Sequence, residues 1–292
     1  MHRERFAPSP TGYLHLGHAY SALLAWERSL DYGGEFCLRI EDLDFIRSRK
    51  EFTSAIFDDL HQLGLEWVEP VVYQSMRTGA YKQSLQKLIN LGICYPCKCS
   101  RKDIQLAIEA PHNQNTKATL PQIYQGTCRD RKMSEMGSNE AIRINMGKVI
   151  DLFGGVSRFP KLEFQDIGDQ FPGTYSLEPE ALIDYHGDFV IARGDLGVSY
   201  HLAVVIDDDY MRISHITRGA DIFSVAPIHR LLQELFGLRI PIWNHHKIIC
   251  DSKGKRLAKR HNAMSLRTLW GKGWTNVSIR ESLGLNQSNC QN

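Results

Sequence analysis

The sequence contains no run approaching the ~20 continuous apolar residues that a membrane span requires. Its opening, Met-His-Arg-Glu-Arg, runs toward a first strand without an apolar signal segment. The expectation is therefore a cytoplasmic protein without a membrane partner. Net charge is also scarce: 35 Lys and Arg stand against 33 Asp and Glu. Composition thus points to no nucleic acid, and any RNA contact has to come from local basic patches, of which residues 253–261 are the densest. Internal repeats and low-complexity tracts are missing. Seven cysteines, an odd number, argue against a disulfide framework; three of them, Cys94, Cys97 and Cys99, crowd into six residues, which suits a metal or free thiols better. Apolar residues make up 42% of 292, the composition of an ordinary globular chain with room for two or three domains.

What is present is concentrated first in Arg5-Phe-Ala-Pro-Ser-Pro-Thr-Gly-Tyr-Leu-His-Leu-Gly-His18. Pro8 and Pro10 fix a stiff, extended path and Gly12 permits a tight turn. Leu16, Ala19, Tyr20, Leu23, Leu24 and Leu30 then recur at helical spacing, so the unpaired N–H groups of the first turn face back toward the proline loop, an arrangement that attracts a phosphate. His15 and His18 lie three apart, with Gly17 leaving the backbone open between them. By itself a His-x-x-His is as compatible with a surface pair or a partial metal site as with a phosphate donor.

Next, Phe36-Cys-Leu-Arg-Ile40 reads as a buried strand that ends in Glu41-Asp42-Leu43-Asp44. Carboxylates at the carboxyl end of a parallel strand can hold a cation such as an α-ammonium, or simply cap the following helix. Phe52, Ile56, Leu60 and Leu63 outline a second helix, and Tyr81, Leu85, Leu88 and Ile89 a third, closed by Gly64 and Gly92. Strands alternating with helices predict a parallel sheet with crossovers, the first half of a nucleotide-binding fold.

The character changes at Cys94-Tyr-Pro-Cys97-Lys-Cys99. With Cys128, Cys97 and Cys99 supply three thiolates for a tetrahedral zinc, and spacing alone selects Cys94 as the fourth, because Cys94 and Cys97 form a C-x-x-C pair. Strands over residues 141–145 and 162–165, followed by a Gly/Pro-containing linker around 168–173, are read as the rest of an insert. Residues 189–193 and 200–208 are expected to restore buried strand and helix elements of the first sheet. Tyr200 and Arg218 stand near the ends of these elements, and a phenol with a guanidinium suits a carboxylate, although each alone is more often a packing aromatic or a surface arginine. Leu266, Leu269, Trp270, Val277, Ile279 and Leu283 predict a small helical end, and 286–292 form a polar tail.

Taken together these motifs resemble the class I aminoacyl-tRNA synthetases. His-Leu-Gly-His matches their first signature, and Arg-Phe-Ala-Pro-Ser-Pro-Thr-Gly is the form of the glutamyl branch. Gly254-Lys-Arg256-Leu-Ala-Lys259-Arg260 lies in the place of the second, Lys-Met-Ser-Lys-Ser, with Arg256 for the first lysine and Ala258 for the serine, so that Lys259 is the position carried over. Val204 after Tyr-x-Leu-Ala, and Arg218 continuing as Gly219-Ala-Asp221, resemble the shorter glutamyl-Q group, and the chain stops where the anticodon-binding region of longer relatives would begin.

The resemblance implies an α/β fold. A Rossmann-like parallel-sheet catalytic domain (1–93 and 188–240) would be interrupted by a zinc-containing, acceptor-type insert (94–187) and followed by the second-signature loop and a small helical C-terminal domain (241–292). It implies an ATP-dependent ligase that activates L-glutamate to glutamyl-adenylate and transfers it to the queuosine base in the anticodon of tRNA for aspartate, acting as a monomer. The alternatives are a shortened enzyme charging a tRNA 3′ end and a non-catalytic RNA-binding paralogue. By the same resemblance Arg5, Ala7, Ser9, Glu41, Tyr200 and Arg218 bind glutamate. His15, Gly17, His18 and Lys259 seat ATP with its Mg²⁺, the catalytic positions being His15, His18 and Lys259. Zinc falls to Cys97, Cys99, Tyr124 and Cys128, which replaces Cys94 by a phenol.

Overall fold

The structure is a computed structural model and describes residues 1–100, 102–103, 123–194, 197–250 and 264–285. It starts as the sequence predicts. Strand β1 (Arg3–Phe6) leads through the proline loop into helix α1 (Leu16–Asp31), and β2 (Glu35–Ile40) returns parallel to β1 with Arg5 opposite Cys37 and Phe6 opposite Leu38. Helix α1 buries Ala19, Tyr20, Ala22, Leu23 and Ala25 along one stripe. It ends before Gly33, whose φ of 57° is left-handed, and Gly34 passes so close to the His2 carbonyl that no Cβ fits there. Helix α2 (Lys50–Gln62) then leads to β3 (Val68–Tyr73), parallel to β2, and α3 (Thr78–Asn90) follows.

A second sheet carries β10 (His215–Gly219), β11 (Ile242–His246) and β6 (Glu163–Asp166) in parallel, with β7 (Gly173–Ser176) antiparallel at its edge. It meets β1 through Ser214, whose N–H donates to the Arg3 carbonyl at 3.0 Å, while the Arg3 N–H donates to Ser214 Oγ at 2.7 Å. Helices α5 (Tyr200–Tyr210) and α6 (Ala226–Phe236) pack on this half, around the fully buried Trp243. The third sheet is antiparallel: β4 (Cys94–Cys97), β5 (Ala141–Ile144), β8 (Val190–Arg193) and β9 (Gly197–Val198), with α4 (Met146–Leu152) beside it.

Three strands fall elsewhere than the sequence reading put them. Residues 189–193 do not resume the parallel sheet: Ala192 pairs with Ile142 in the insert. Conversely, β6 pairs with β11, Asp166 opposite Trp243, and so belongs to the parallel part although it lies inside 94–187. β11 likewise stays in that sheet, past residue 240. A short apolar run states that it is a buried strand but not which partner it takes, and both sheets here drain into one core containing Ile142, Phe164, Ile191 and Trp243. Residues 200–208 are entirely helical despite Val204-Val205-Ile206, because Ser199 caps the helix, accepting from the Leu202 N–H, and the helix is buried nearly all round, at Leu202, Ala203, Val204, Val205, Asp207 and Asp208.

At the C-terminal end, α7 (Leu266–Gly271) and α8 (Asn276–Ser282) are helical as expected but fold back on the first half of the molecule. Leu266, Leu269, Ile279 and Leu283 share a core with Phe6, Leu14, Leu23, Leu38 and Leu60, and the Leu266 N–H donates to the Leu14 carbonyl at 2.8 Å. Among the described residues no helix is long and apolar enough to cross a membrane.

Candidate active site

The proline loop joins two walls of the site. Pro8 and Pro10 are buried, Ala7 and Ser9 between them only partly so. The Pro8 carbonyl accepts the Glu41 N–H and the Pro10 carbonyl the Arg49 N–H, both at 3.0 Å. Beyond the loop, His15 caps α1: its Nδ1 accepts the Gly17 N–H at 3.1 Å, while the His15 N–H donates to His18 Nδ1 at 3.2 Å. The two rings lie 3.8 Å apart between centroids. Each Nδ1 is used as an acceptor, so each neutral ring carries its proton on Nε2. A Cβ on Gly17 would press on the His15 ring at 3.1 Å, which accounts for glycine at that position. The helix N-terminus thus bears two imidazole rings protonated on Nε2, at the end of a helix that attracts an anion.

The charged group lies across the strand ends from β1, β2, α5 and β10. Asp208 Oδ1 accepts from Arg39 Nη1 at 2.6 Å and from Arg5 Nε at 3.1 Å, and Arg39 Nη2 donates to Glu41 at 3.0 Å. Burial pushes Asp208 up, yet the two guanidiniums outweigh it and hold the carboxyl below its usual range. For Glu41 burial wins over Arg39 and the carboxyl is raised. Arg218 is different. Its Nε donates to His245 Nε2 at 2.8 Å and its Nη1 meets His229 Nδ1 at 3.1 Å, while Nη2 is buried with no hydrogen-bond partner among the described residues. Burial lowers Arg218, His229 and His245 alike. The Tyr200 phenol faces the same guanidinium, and the residue is 41% exposed.

Arg5, Glu41, Tyr200 and Arg218 are therefore brought together, with Ala7 and Ser9 on the adjoining loop. Lys259 and the whole basic 253–261 stretch lie outside the described residues. Sequence reasoning missed Arg39, Asp208, His229, His245 and Asp166. Arg39 carried a signal: a charge inside the apolar strand Phe36–Ile40 must be paired. A separate cavity of about 440 Å³ is lined by Phe45, Leu85, Ile142 and Val198 among others and touches none of these charged residues.

The cysteines resolve by strand geometry. Cys94 and Cys97 sit at the two ends of β4, three apart, hence on opposite faces. Cys94 joins the central core, where burial drives its thiol up to about 12, so the C-x-x-C reading of the fourth ligand is corrected. On the other face Cys97, Cys99 and Cys128 cluster, with Tyr124 Oη 3.5 Å from the Sγ atoms of both Cys97 and Cys99, and 3.6 Å between the Sγ atoms of Cys99 and Cys128. A tetrahedral zinc with Zn–S of about 2.3 Å and Zn–O of about 2.0 Å has edges of about 3.8 Å between thiolates and about 3.5 Å between thiolate and phenolate. These four donors fit a zinc ion. Arg143 supports them, its Nε 3.3 Å from Cys97 Sγ and its guanidinium 3.9 Å from the centre of the Tyr124 ring.

Comparison with known proteins agrees with this layout. The family model of the catalytic domain of class I tRNA synthetases (E and Q) matches residues 2–285. The chain is 40% identical over 284 residues to a glutamyl-Q tRNA(Asp) synthetase of Rhodobacter capsulatus, covering 96% of this chain and 99% of that one. It is 37% identical over 294 residues to the protein of that name from Nitratidesulfovibrio vulgaris, covering 98% and 86%. Among solved structures, the glutamate-tRNA synthetase of Elizabethkingia anophelis superposes with a TM-score of 0.68 at 25% identity, over 89% of this chain but 52% of that one, so the chain spans about half its length. With a family match over nearly its whole length and relatives of this identity and coverage, the chain belongs to the class I tRNA synthetases of the glutamyl and glutaminyl type.

Proposed function

We propose that the protein activates L-glutamate with ATP and transfers it to the queuosine base in the anticodon of tRNA for aspartate. The observation that carries the glutamate half is Arg218 Nη2, a buried donor left without a hydrogen-bond partner among the described residues. Around it three guanidiniums (Arg5, Arg39, Arg218) face two carboxylates (Glu41, Asp208), leaving one net positive charge opposite an amino acid that carries one net negative charge at neutral pH. The acceptor half is supported by the two relatives named above, of which this chain covers most of the length.

In this reading a glutamate carboxylate oxygen attacks the α-phosphorus of ATP as the bond to pyrophosphate breaks. The carboxylate is already a nucleophile, so alignment and charge stabilisation do the work. Arg5, Tyr200 and Arg218 hold the carboxylates, Glu41 the ammonium, and Ser9 with the Ala7 backbone lines the pocket. His15 and His18 offer Nε2–H groups to phosphate oxygens beside Gly17, and the resemblance assigns Lys259, outside the described residues, to the pyrophosphate. Mg²⁺ brought with ATP would share the phosphate charge. Cys97, Cys99, Tyr124 and Cys128 would hold zinc, with a structural part in fixing the insert.

The test is transfer of labelled glutamate, with ATP, to tRNA for aspartate with and without queuosine, beside tRNA for glutamate, each also with its 3′ end blocked by periodate. Label that needs queuosine and survives blocking is the expected result. Label on tRNA for glutamate that blocking abolishes would instead make the protein a 3′-charging enzyme, and absence of glutamate-dependent pyrophosphate exchange would leave a non-catalytic paralogue.

A further inference from the structure

The environment of Arg218 differs from that of the two other guanidiniums in one chemical respect. Arg5 and Arg39 are each paired with a carboxylate, that of Asp208. Among the described residues the two acceptors within hydrogen-bond distance of Arg218 are both imidazole nitrogens, and the other group turned to it is the uncharged Tyr200 phenol. A guanidinium has only donors, so these bonds dictate the state of both rings. His245 must present a bare Nε2, which puts its proton on Nδ1, and that proton points at Asp166 Oδ2 in a short hydrogen bond between two fully buried side chains. Asp166 is itself fixed, its Oδ1 accepting the Gly168 N–H at 2.8 Å and the His245 N–H at 3.3 Å. Gly168 lies so tightly against the His245 backbone that a Cβ there would collide. His229 must likewise present a bare Nδ1, which leaves the proton on Nε2 to reach His201 Nδ1 at 3.2 Å.

We propose that His229 and His245, with Asp166 behind His245, are positioning residues that clamp Arg218 between two neutral acceptors, so that its orientation is fixed while its charge stays unspent for a substrate carboxylate. A carboxylate in either place would hold the guanidinium equally well and neutralise it. An imidazole supplies the acceptor without the charge. Protonation of either ring would remove that acceptor and set a cation against a cation. The titratable and charged groups facing His229 are Arg218, His201, Tyr200, Arg5 and His245, and those facing His245 are Asp166, Arg218, Asp221, His229 and His246. Among the described residues the clamp leaves Nη2 as the buried nitrogen of Arg218 without an acceptor. This inference rests on the glutamate-activating reading above.

The experiment is glutamate-dependent ATP–pyrophosphate exchange by the whole chain, with KM for glutamate, KM for ATP and kcat measured separately for three variants at position 229. His229→Leu removes the acceptor, His229→Gln replaces it by a neutral one, and His229→Glu replaces it by a charged one. The expected result is a rise of about tenfold or more in KM for glutamate in His229→Leu, most of it recovered in His229→Gln and not in His229→Glu, with KM for ATP unchanged. A merely structural role would not separate glutamine from glutamate. Equal behaviour of His229→Gln and His229→Glu, or parallel rises in both KM values, would overturn the clamp. Asp166→Asn provides an independent check should the position-229 variants unfold: it removes the anion behind His245 and should raise KM for glutamate selectively, whereas no change would count against the proposal. If the unaltered chain exchanges pyrophosphate but the variants match it, this inference fails alone. If the unaltered chain does not exchange at all, the functional reading fails and the clamp with it.

Discussion

Asp208 binds two buried guanidiniums with a single carboxylate oxygen, and Arg39, fully buried, depends on it and on Glu41. Removing one partner of a buried ion pair leaves an uncompensated charge, which typically costs about 3–5 kcal/mol. Asp208→Ala is therefore expected to lower the urea midpoint steeply at unchanged slope, and Asp208→Asn, which keeps one acceptor, to lower it less. Equal midpoints for the wild type and Asp208→Ala would mean that the pairing contributes nothing to stability. At this scale the sequence was half legible. Arg5, Glu41, Tyr200 and Arg218 are legible from motif position, whereas Asp208 is one of three consecutive aspartates, of which Asp207 is equally buried but pairs with Gln74, Arg77 and Tyr81, and nothing in the sequence says which reaches Arg5 and Arg39. The pair His245-His246 has the same ambiguity. Strand alternation sends His245 to Arg218 and Asp166 and His246 to Ser21, and only the neighbours distinguish them.

Among the elements, β4 sorts the cysteines. Its ends present Cys94 to the central core and Cys97 to the smaller cluster with Tyr95, Tyr124 and Cys128. Metal analysis of the purified protein should find zinc undiminished in Cys94→Ala, lowered or more readily lost to a chelator in Tyr124→Phe, and absent in Cys128→Ser, whose thiolate has no substitute. Loss confined to Cys94→Ala would return the site to a C-x-x-C arrangement. The element scale also marks where reading the sequence fails for a physical reason. Residues 189–193 and 162–165 were both legible as buried strands, but pairing is decided by contacts far along the chain. Ala192 found Ile142, and Asp166 found Trp243.

For the whole molecule, the alternation of strands and helices made an α/β nucleotide-binding fold legible, but the placing of α7 and α8 was not. Their apolar residues announce a buried face without naming what covers it. In the structure that face closes the core beneath α1, so the C-terminal helices are part of the first half and not an appendage. Leu269, 1% exposed within that core, should cost about 2–5 kcal/mol as Leu269→Ala, read by chemical denaturation as one cooperative transition. A separate early transition would instead indicate that the two helices unfold on their own.

The proline loop has the widest reach. Its Pro8 carbonyl is bonded to the residue proposed for the ammonium and its far end runs into the helix proposed for the phosphates, so neither pocket can shift without pulling the other. Two ligands on a shared rigid segment exchange free energy, and thermodynamics requires the exchange to be symmetric. Glutamate should bind more tightly when a non-hydrolysable ATP analogue is present, and the analogue should gain the same factor from glutamate, as calorimetric titration in both orders would measure. Substituting Pro8 should bring that common factor toward one while leaving each ligand, alone, closer to its original affinity.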